Sequence, residues 1–144
     1  MESDAERDLV AGVIQLANLL TRRLTPVFEK AGVTPQQWAI LSALEHAGGP
    51  MTLATLARTM LVSKQNMTGM MVRLEQLGFA ERTGDPKDLR SSRVALTRRG
   101  HSTIEKLRPA YEQWRAALGS NVPERDLAAA TRTIEKLIAN LTTG

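Results

Sequence analysis

Cysteine is absent from the 144 residues, and histidine occurs only twice, at His46 and His101. Without a thiol there is no disulfide, no thiolate redox switch and no cysteine-ligated zinc. Two isolated histidines give no ligand spacing for a metal, so neither a metal nor a cofactor is expected. Aromatic residues make up only 3% of the chain, so a ring-lined pocket would consume most of them. No apolar run approaches the roughly 20 residues of a spanning helix, which points away from a membrane. A glycine-rich phosphate loop and a Gly-x-Ser-x-Gly elbow are both missing, and the acids are scattered, so the chain does not read as an enzyme.

What is present is a foldable, unevenly charged chain. Hydrophobic residues reach 42% and charged residues 24%, the composition of a folded domain. Residues 1–8 are charged and net acidic, unlike a secretory signal, so a soluble cytoplasmic protein is expected. The stretch 31–50 carries one charge, Glu45, whereas residues 51–100 carry nine cations against four acids. A basic middle between near-neutral ends reads as a polyanion-binding surface, although a merely solvated face has the same composition.

The apolar period is helical nearly throughout. Leu9, Val13, Leu16, Leu20, Leu24 and Val27 form one stripe, widened by Val10, Ile14, Ala17 and Phe28. That helix, over about 5–30, has a stripe too wide for one neighbour and should meet two bodies. Thr34-Pro35-Gln36-Gln37 has a capping hydroxyl, a proline at the first helical position and a glutamine to close the box. The helix it opens should bury Trp38, Ile40, Leu41 and Leu44. After Gly48-Gly49-Pro50, Thr52 caps a short third helix; Met60-Leu61-Val62 turn, and Ser63 caps a fourth that Gly78 ends. Strands over about 79–83 and 92–96 flank an Asp85-Pro86 turn. Thr97 opens a long fifth helix in which Pro109 removes one backbone bond and should bend it. Pro123 starts a sixth.

Two short helices, a three-residue turn and a hairpin describe a winged helix-turn-helix. The fold class is therefore mainly α, with a DNA-binding domain at 35–99 and helical segments 1–34 and 100–144 left for a dimerisation region. At about 100° per residue, Ser63, Met67, Met70, Met71, Leu74 and Leu77 share one face of the fourth helix. Gln65, Thr68, Gly69, Val72 and Gln76 lie opposite, with Asn66 and Arg73 on one shoulder and Lys64 on the other. A face that is polar and uncharged at its centre, with cations at its edges, suits a major groove. Amides bond base edges in pairs, Gly69 leaves room for the groove wall, Val72 suits a thymine methyl, and Lys64 and Arg73 suit phosphates. An ordinary surface helix would carry more Glu and Lys there. On the wing, Lys87, Arg90 and Arg93 are the candidate cations with Arg82, and an arginine at a hairpin tip fits a narrow minor groove. Asp88 reads better as an internal brace for the loop.

Residues 52–100 resemble the MarR family of bacterial transcriptional regulators. The resemblance is carried by Leu56-Ala57, Ser63 through Leu77-Gly78, Arg82, the wing Asp85-Pro86-Lys87-Asp88-Leu89-Arg90-Ser91, and Leu96-Thr97-Arg98-Arg99-Gly100. The resemblance implies DNA contacts from Ser63, Gln65, Asn66, Thr68 and Arg73 on the helix, and a role at DNA for Asp88 and Arg90 on the wing. It also implies a homodimer built from the first, fifth and sixth helices, on double-stranded, pseudo-palindromic operator DNA. Repression relieved by a small ligand, often an anionic aromatic, is the expected output. The apolar terminal segments support a dimer independently of the resemblance. Facing the expected ligand cleft are Arg22 or Arg23, Trp38, and Tyr111 or Trp114; for the three rings, plain packing is the commoner use. A regulator without a ligand, and a helical adaptor that has lost DNA binding, remain the alternatives.

Overall fold

Hydroxyl groups cap the starts of five of the six helices of this chain, and left-handed residues stop several of them. The structure, a computed structural model, describes residues 3–84, 87 and 91–142. Its elements are α1 (Asp4–Glu29), α2 (Pro35–Ala47), β1 (Met51–Thr52), α3 (Leu53–Met60), α4 (Lys64–Gln76), β2 (Ala80–Thr83), β3 (Arg93–Leu96), α5 (Arg98–Leu118) and α6 (Glu124–Thr142). Thr34 and Gln37 close the expected capping box at the start of α2. The hydroxyls of Thr52 and Ser63 accept the amides of Thr55 and Asn66, satisfying donors that the first turns of α3 and α4 leave unpaired. At the far end of α4, Gly78 turns left-handed (φ 79°). Its amide donates to the Glu75 carbonyl and that of Phe79 to the Leu74 carbonyl, the paired bonds of a Schellman stop. The same pair of bonds stops α3, but the left-handed residue there is Leu61 (φ 57°).

The wing is a three-stranded antiparallel sheet in the order β1-β3-β2. Ala80 faces Leu96 and Arg82 faces Val94 across β2–β3, while Met51 faces Val94 across β1–β3. The hairpin matches expectation, and β1 is an addition to it. Two residues carry no periodicity, so nothing local announces this strand; it exists because the segment before α3 runs beside β3. The Leu53 amide extends the pairing to the carbonyl of Ser92, which is fully buried.

The chain divides into two compact units, Met1–Pro109 and Ala110–Gly144. In the first, Trp38, Ile40, Leu41 and Leu44 of α2 are buried as their spacing predicts, with Leu53, Leu56 and Ala57 of α3 and Met67, Met71 and Leu74 of α4. Phe28 stacks on Trp38, ring centroids 4.9 Å apart at 17°. Thr97 fastens α5 to this core. Its hydroxyl donates to the Gly78 carbonyl at 2.6 Å and accepts the Gly100 amide, and its own amide donates to the Phe79 carbonyl. Gly100 is obligatory there, because a Cβ would run into the Phe79 carbonyl oxygen. The carboxylate of Glu45, at the end of α2, accepts from Arg108 on α5 at 2.8 Å, and Glu105 accepts from the same guanidinium. The hydrogen bond to Glu45, reinforced by the one to Glu105, raises the Arg108 pKa above its ordinary value.

Large parts of the terminal helices remain uncovered. On α1, Leu9, Val10, Val13, Ile14, Leu16 and Leu19 are exposed. In the second unit α6 buries no residue, and Leu127, Ile134, Ile138 and Leu141 are exposed. The stripe on α1 thus has only its last turns covered, by the core around Phe28.

Candidate nucleic-acid interface

The inward face of α4 is set by Met67, Met71 and Leu74, all fully buried, with Met70 and Leu77 half-buried beside them. What this leaves outside is Lys64, Gln65, Asn66, Gly69, Val72, Arg73 and Gln76. Those are the residues that helical geometry assigns to the outer face and its shoulders. The centre carries no charge. Lys64 and Arg73 have no ion-pair partner among the described residues, so both are available to phosphate. Nothing lies within 4 Å of where a Cβ of Gly69 would be, so the helix surface there is open. Amide side chains of this kind hydrogen-bond paired donor and acceptor groups on base edges, and Val72, 41% exposed, offers an apolar contact.

Two residues differ in detail from the expected arrangement. Ser63 lies on the exposed side rather than with the buried methionines, since its side chain turns back to cap Asn66. Thr68 is half-buried, and its hydroxyl donates to the Lys64 carbonyl at 2.9 Å. That bond uses its one proton on the backbone and leaves lone pairs and a methyl group for outside contacts.

On the wing, Lys87 and Arg93 are exposed, whereas Asp88 and Arg90 lie outside the described residues. Arg82 is the residue that sequence reasoning underread. Its side chain is only 16% exposed and its Nε lies 3.6 Å from a carboxylate oxygen of Glu75. It therefore ties β2 to α4 instead of reaching outward. Its Nη1 is buried without a hydrogen-bond partner. The available signal was an acid and a base of opposite charge seven positions apart, on either side of the Gly78 stop.

The suggested ligand residues fall in different surroundings. Arg22 and Arg23 are exposed on α1, and Trp38 is buried against Phe28. Tyr111 and Trp114 belong to the second unit, both half-buried and stacked at 6.4 Å and 23°. Among the described residues no group of His, Asp and Glu could hold a metal ion. No described helix is long and apolar enough to cross a membrane.

Curated relatives of this chain are transcriptional regulators. The family model described as the MarR family matches residues 31–91. Transcriptional activatory protein BadR of Rhodopseudomonas palustris is 35% identical over 126 residues, covering 86% of this chain and 71% of that protein. The crystal structure of AbsC, a MarR family regulator from Streptomyces coelicolor, superposes with a TM-score of 0.85 at 22% identity, covering 100% of this chain and 99% of the other. NadR in complex with 4-hydroxyphenylacetate gives 0.74 at 24% identity, covering 88% and 89%. The chain belongs to the MarR family, and it is a DNA-binding transcriptional regulator with a winged helix-turn-helix fold.

Proposed function

We propose that the protein is a homodimeric repressor that binds a pseudo-palindromic operator and releases it when a small ligand binds. The observation that carries the reading is the outer face of α4: open at Gly69, amide-rich, uncharged in the middle and flanked by Lys64 and Arg73. Gln65, Asn66 and Thr68 read base edges, Ser63 and the amides after it meet a phosphate, and Lys87, Arg90 and Arg93 of the wing follow the neighbouring backbone or minor groove. Asp88 braces the wing loop. Functionally, residues 35–99 are the DNA-binding part, and 1–34 with 100–144 the dimerisation part.

The uncovered apolar residues of α1 and α6 support the dimer, because monomeric proteins seldom leave such stretches in water. Two-fold symmetry then sets the half-sites about one helical turn apart. Arg22 and Arg23, exposed on α1, supply cations suited to an anionic aromatic ligand, the class that 4-hydroxyphenylacetate in the NadR complex represents; Tyr111 and Trp114 of the second unit supply half-buried rings, while Trp38 is committed to its stack with Phe28. By linkage, a ligand that favours a lobe arrangement unfit for DNA weakens operator binding by the same factor that the operator weakens ligand binding. Chemistry on a substrate has no part in this reading, and the site of action is the cytoplasm. A second reading, activation, draws on the name of BadR; where the operator lies relative to the promoter decides between the two outputs.

Fluorescence anisotropy of the protein on DNA upstream of its own gene, against random duplex across a salt series, tests the reading. Preference for the upstream DNA, with affinity falling by about 0.9 log units per log unit of salt for each phosphate contact, is expected. Equal weak binding to both duplexes, followed by failure to select any sequence from random DNA, would overturn it.

A further inference from the structure

A second concentration of positive charge lies away from the outer face of α4. Arg99, Ser102, Thr103 and Lys106 recur at spacings of three and four along α5 and so share one side of it. With Lys30, which follows α1, and Phe79 at the start of the wing, they line an open cleft in the first unit. No carboxylate lines it. Glu29 and Glu105 are next in sequence to Lys30 and Lys106, yet neither borders the cleft, and Glu105 is bonded to Arg108.

Among the described residues, three cations of this unit are held by carboxylates, Arg7 by Asp4, Arg82 by Glu75 and Arg108 by Glu45, whereas others, Lys64 and Arg73 among them, are not. Lys30, Arg99 and Lys106 have no ion-pair partner among the described residues. Arg99 is instead laid over the Phe79 ring, 5.4 Å from its centroid, which fixes its guanidinium at the wall. The hydroxyls of Ser102 and Thr103 make no hydrogen bond within the described chain, in contrast to Thr21, Thr25, Thr59 and Thr68, which all bond back to carbonyls of their own helices. Three unneutralised cations, two uncommitted hydroxyls and an aromatic wall are the donor set of an oxyanion site.

We propose that this cleft binds a small, multiply charged anion, a phosphorylated or polycarboxylate metabolite, and that through it such anions adjust operator affinity. The second half rests on the regulator reading; the binding itself does not. A backbone phosphate of DNA has the same chemistry as a free anion, but the position favours the free anion. The cleft sits beside Gly78 and Phe79, at the far end of α4 from Ser63, and a helix of 13 residues spans about 20 Å. Its walls are α5 and the chain after α1, rather than the outer face of α4.

The test titrates the full-length protein, free of DNA, with citrate and inorganic phosphate at constant ionic strength, with acetate as the singly charged control, following backbone amide resonances. Saturable shifts at Ser102 and Thr103 with citrate or phosphate, absent with acetate, are expected. The double substitution Lys30→Gln with Lys106→Gln should weaken binding roughly tenfold or more, since each removes a charge-assisted hydrogen bond. Thr103→Val, which keeps shape without the hydroxyl, should weaken it severalfold. No saturable response, or one that both variants leave unchanged, overturns the site. So does a lysine variant that, in anion-free buffer, loses operator affinity and salt slope together, because the cleft is then a DNA backbone contact. Discrimination of operator from random DNA by the unaltered protein in the same buffer is read separately, so failure of the cleft and failure of the regulator reading remain distinguishable.

Discussion

Gly69 sits in the middle of α4, where almost any other residue would make a better helix. An added Cβ would touch nothing within 4 Å, so packing does not require the glycine. Gly69→Ala should therefore raise stability by up to about 1 kcal/mol in urea unfolding, while lowering operator affinity by crowding the groove wall. A variant that is more stable and binds unchanged would remove Gly69 from the interface. Gln65→Ala should relax base preference, with a loss of about 1–3 kcal/mol on the operator and much less on random duplex. An equal loss on both would make Gln65 a backbone contact. For Arg90→Ala the expectation is a uniform drop in affinity and a salt slope shallower by about one unit, with the oligomeric state unchanged in sedimentation.

At the scale of the element, the turn between α3 and α4 contains the clearest local misfit. Leu61 occupies the left-handed position of a Schellman stop, which glycine fills at no steric cost, and it is 58% exposed. Leu61→Gly should thus stabilise the fold by about 1 kcal/mol, visible as a rise of a few degrees in thermal unfolding. Destabilisation would mean that the exposed leucine packs in the working assembly. Helix boundaries such as the Thr34 box, the Thr52 and Ser63 caps and the Gly78 stop were legible in the sequence because each is a bargain between residues three to five apart. Periodicity likewise revealed which side of α4 is buried. Features that join distant segments left no such trace. Examples are β1 alongside β3, the Arg108–Glu45 bond across 63 positions, and the inward turn of Arg82 onto Glu75. Side-chain orientation at short range was also hidden where a hydroxyl had two choices, as at Ser63 and Thr68.

At the scale of the whole molecule, the exposed leucines, isoleucines and valines of α1 and α6 dominate. Replacing Ile134 and Ile138 together by aspartate should convert the protein from two-chain to one-chain mass in sedimentation, because buried carboxylates at an apolar interface each cost several kcal/mol. Operator affinity should fall with it, since two half-sites would no longer be held by one particle. A pair of substitutions that leaves the mass of a dimer would place the interface elsewhere. Basic charge is likewise a property of the whole: the cations of 51–100 would draw the dimer toward DNA before any base is read.

Thr97 and Gly100 bear on how a signal could travel. Two hydrogen bonds, from the Thr97 hydroxyl to the Gly78 carbonyl and from the Thr97 amide to the Phe79 carbonyl, and the close backbone approach at Gly100 hold the first turn of α5 to the Gly78–Phe79 junction, with only one short side chain taking part. Such a joint behaves as a weld rather than a hinge. A push on the start of α5 would then be carried to the end of α4, the helix proposed to meet the DNA. Sensing and reading would then be two ends of one part.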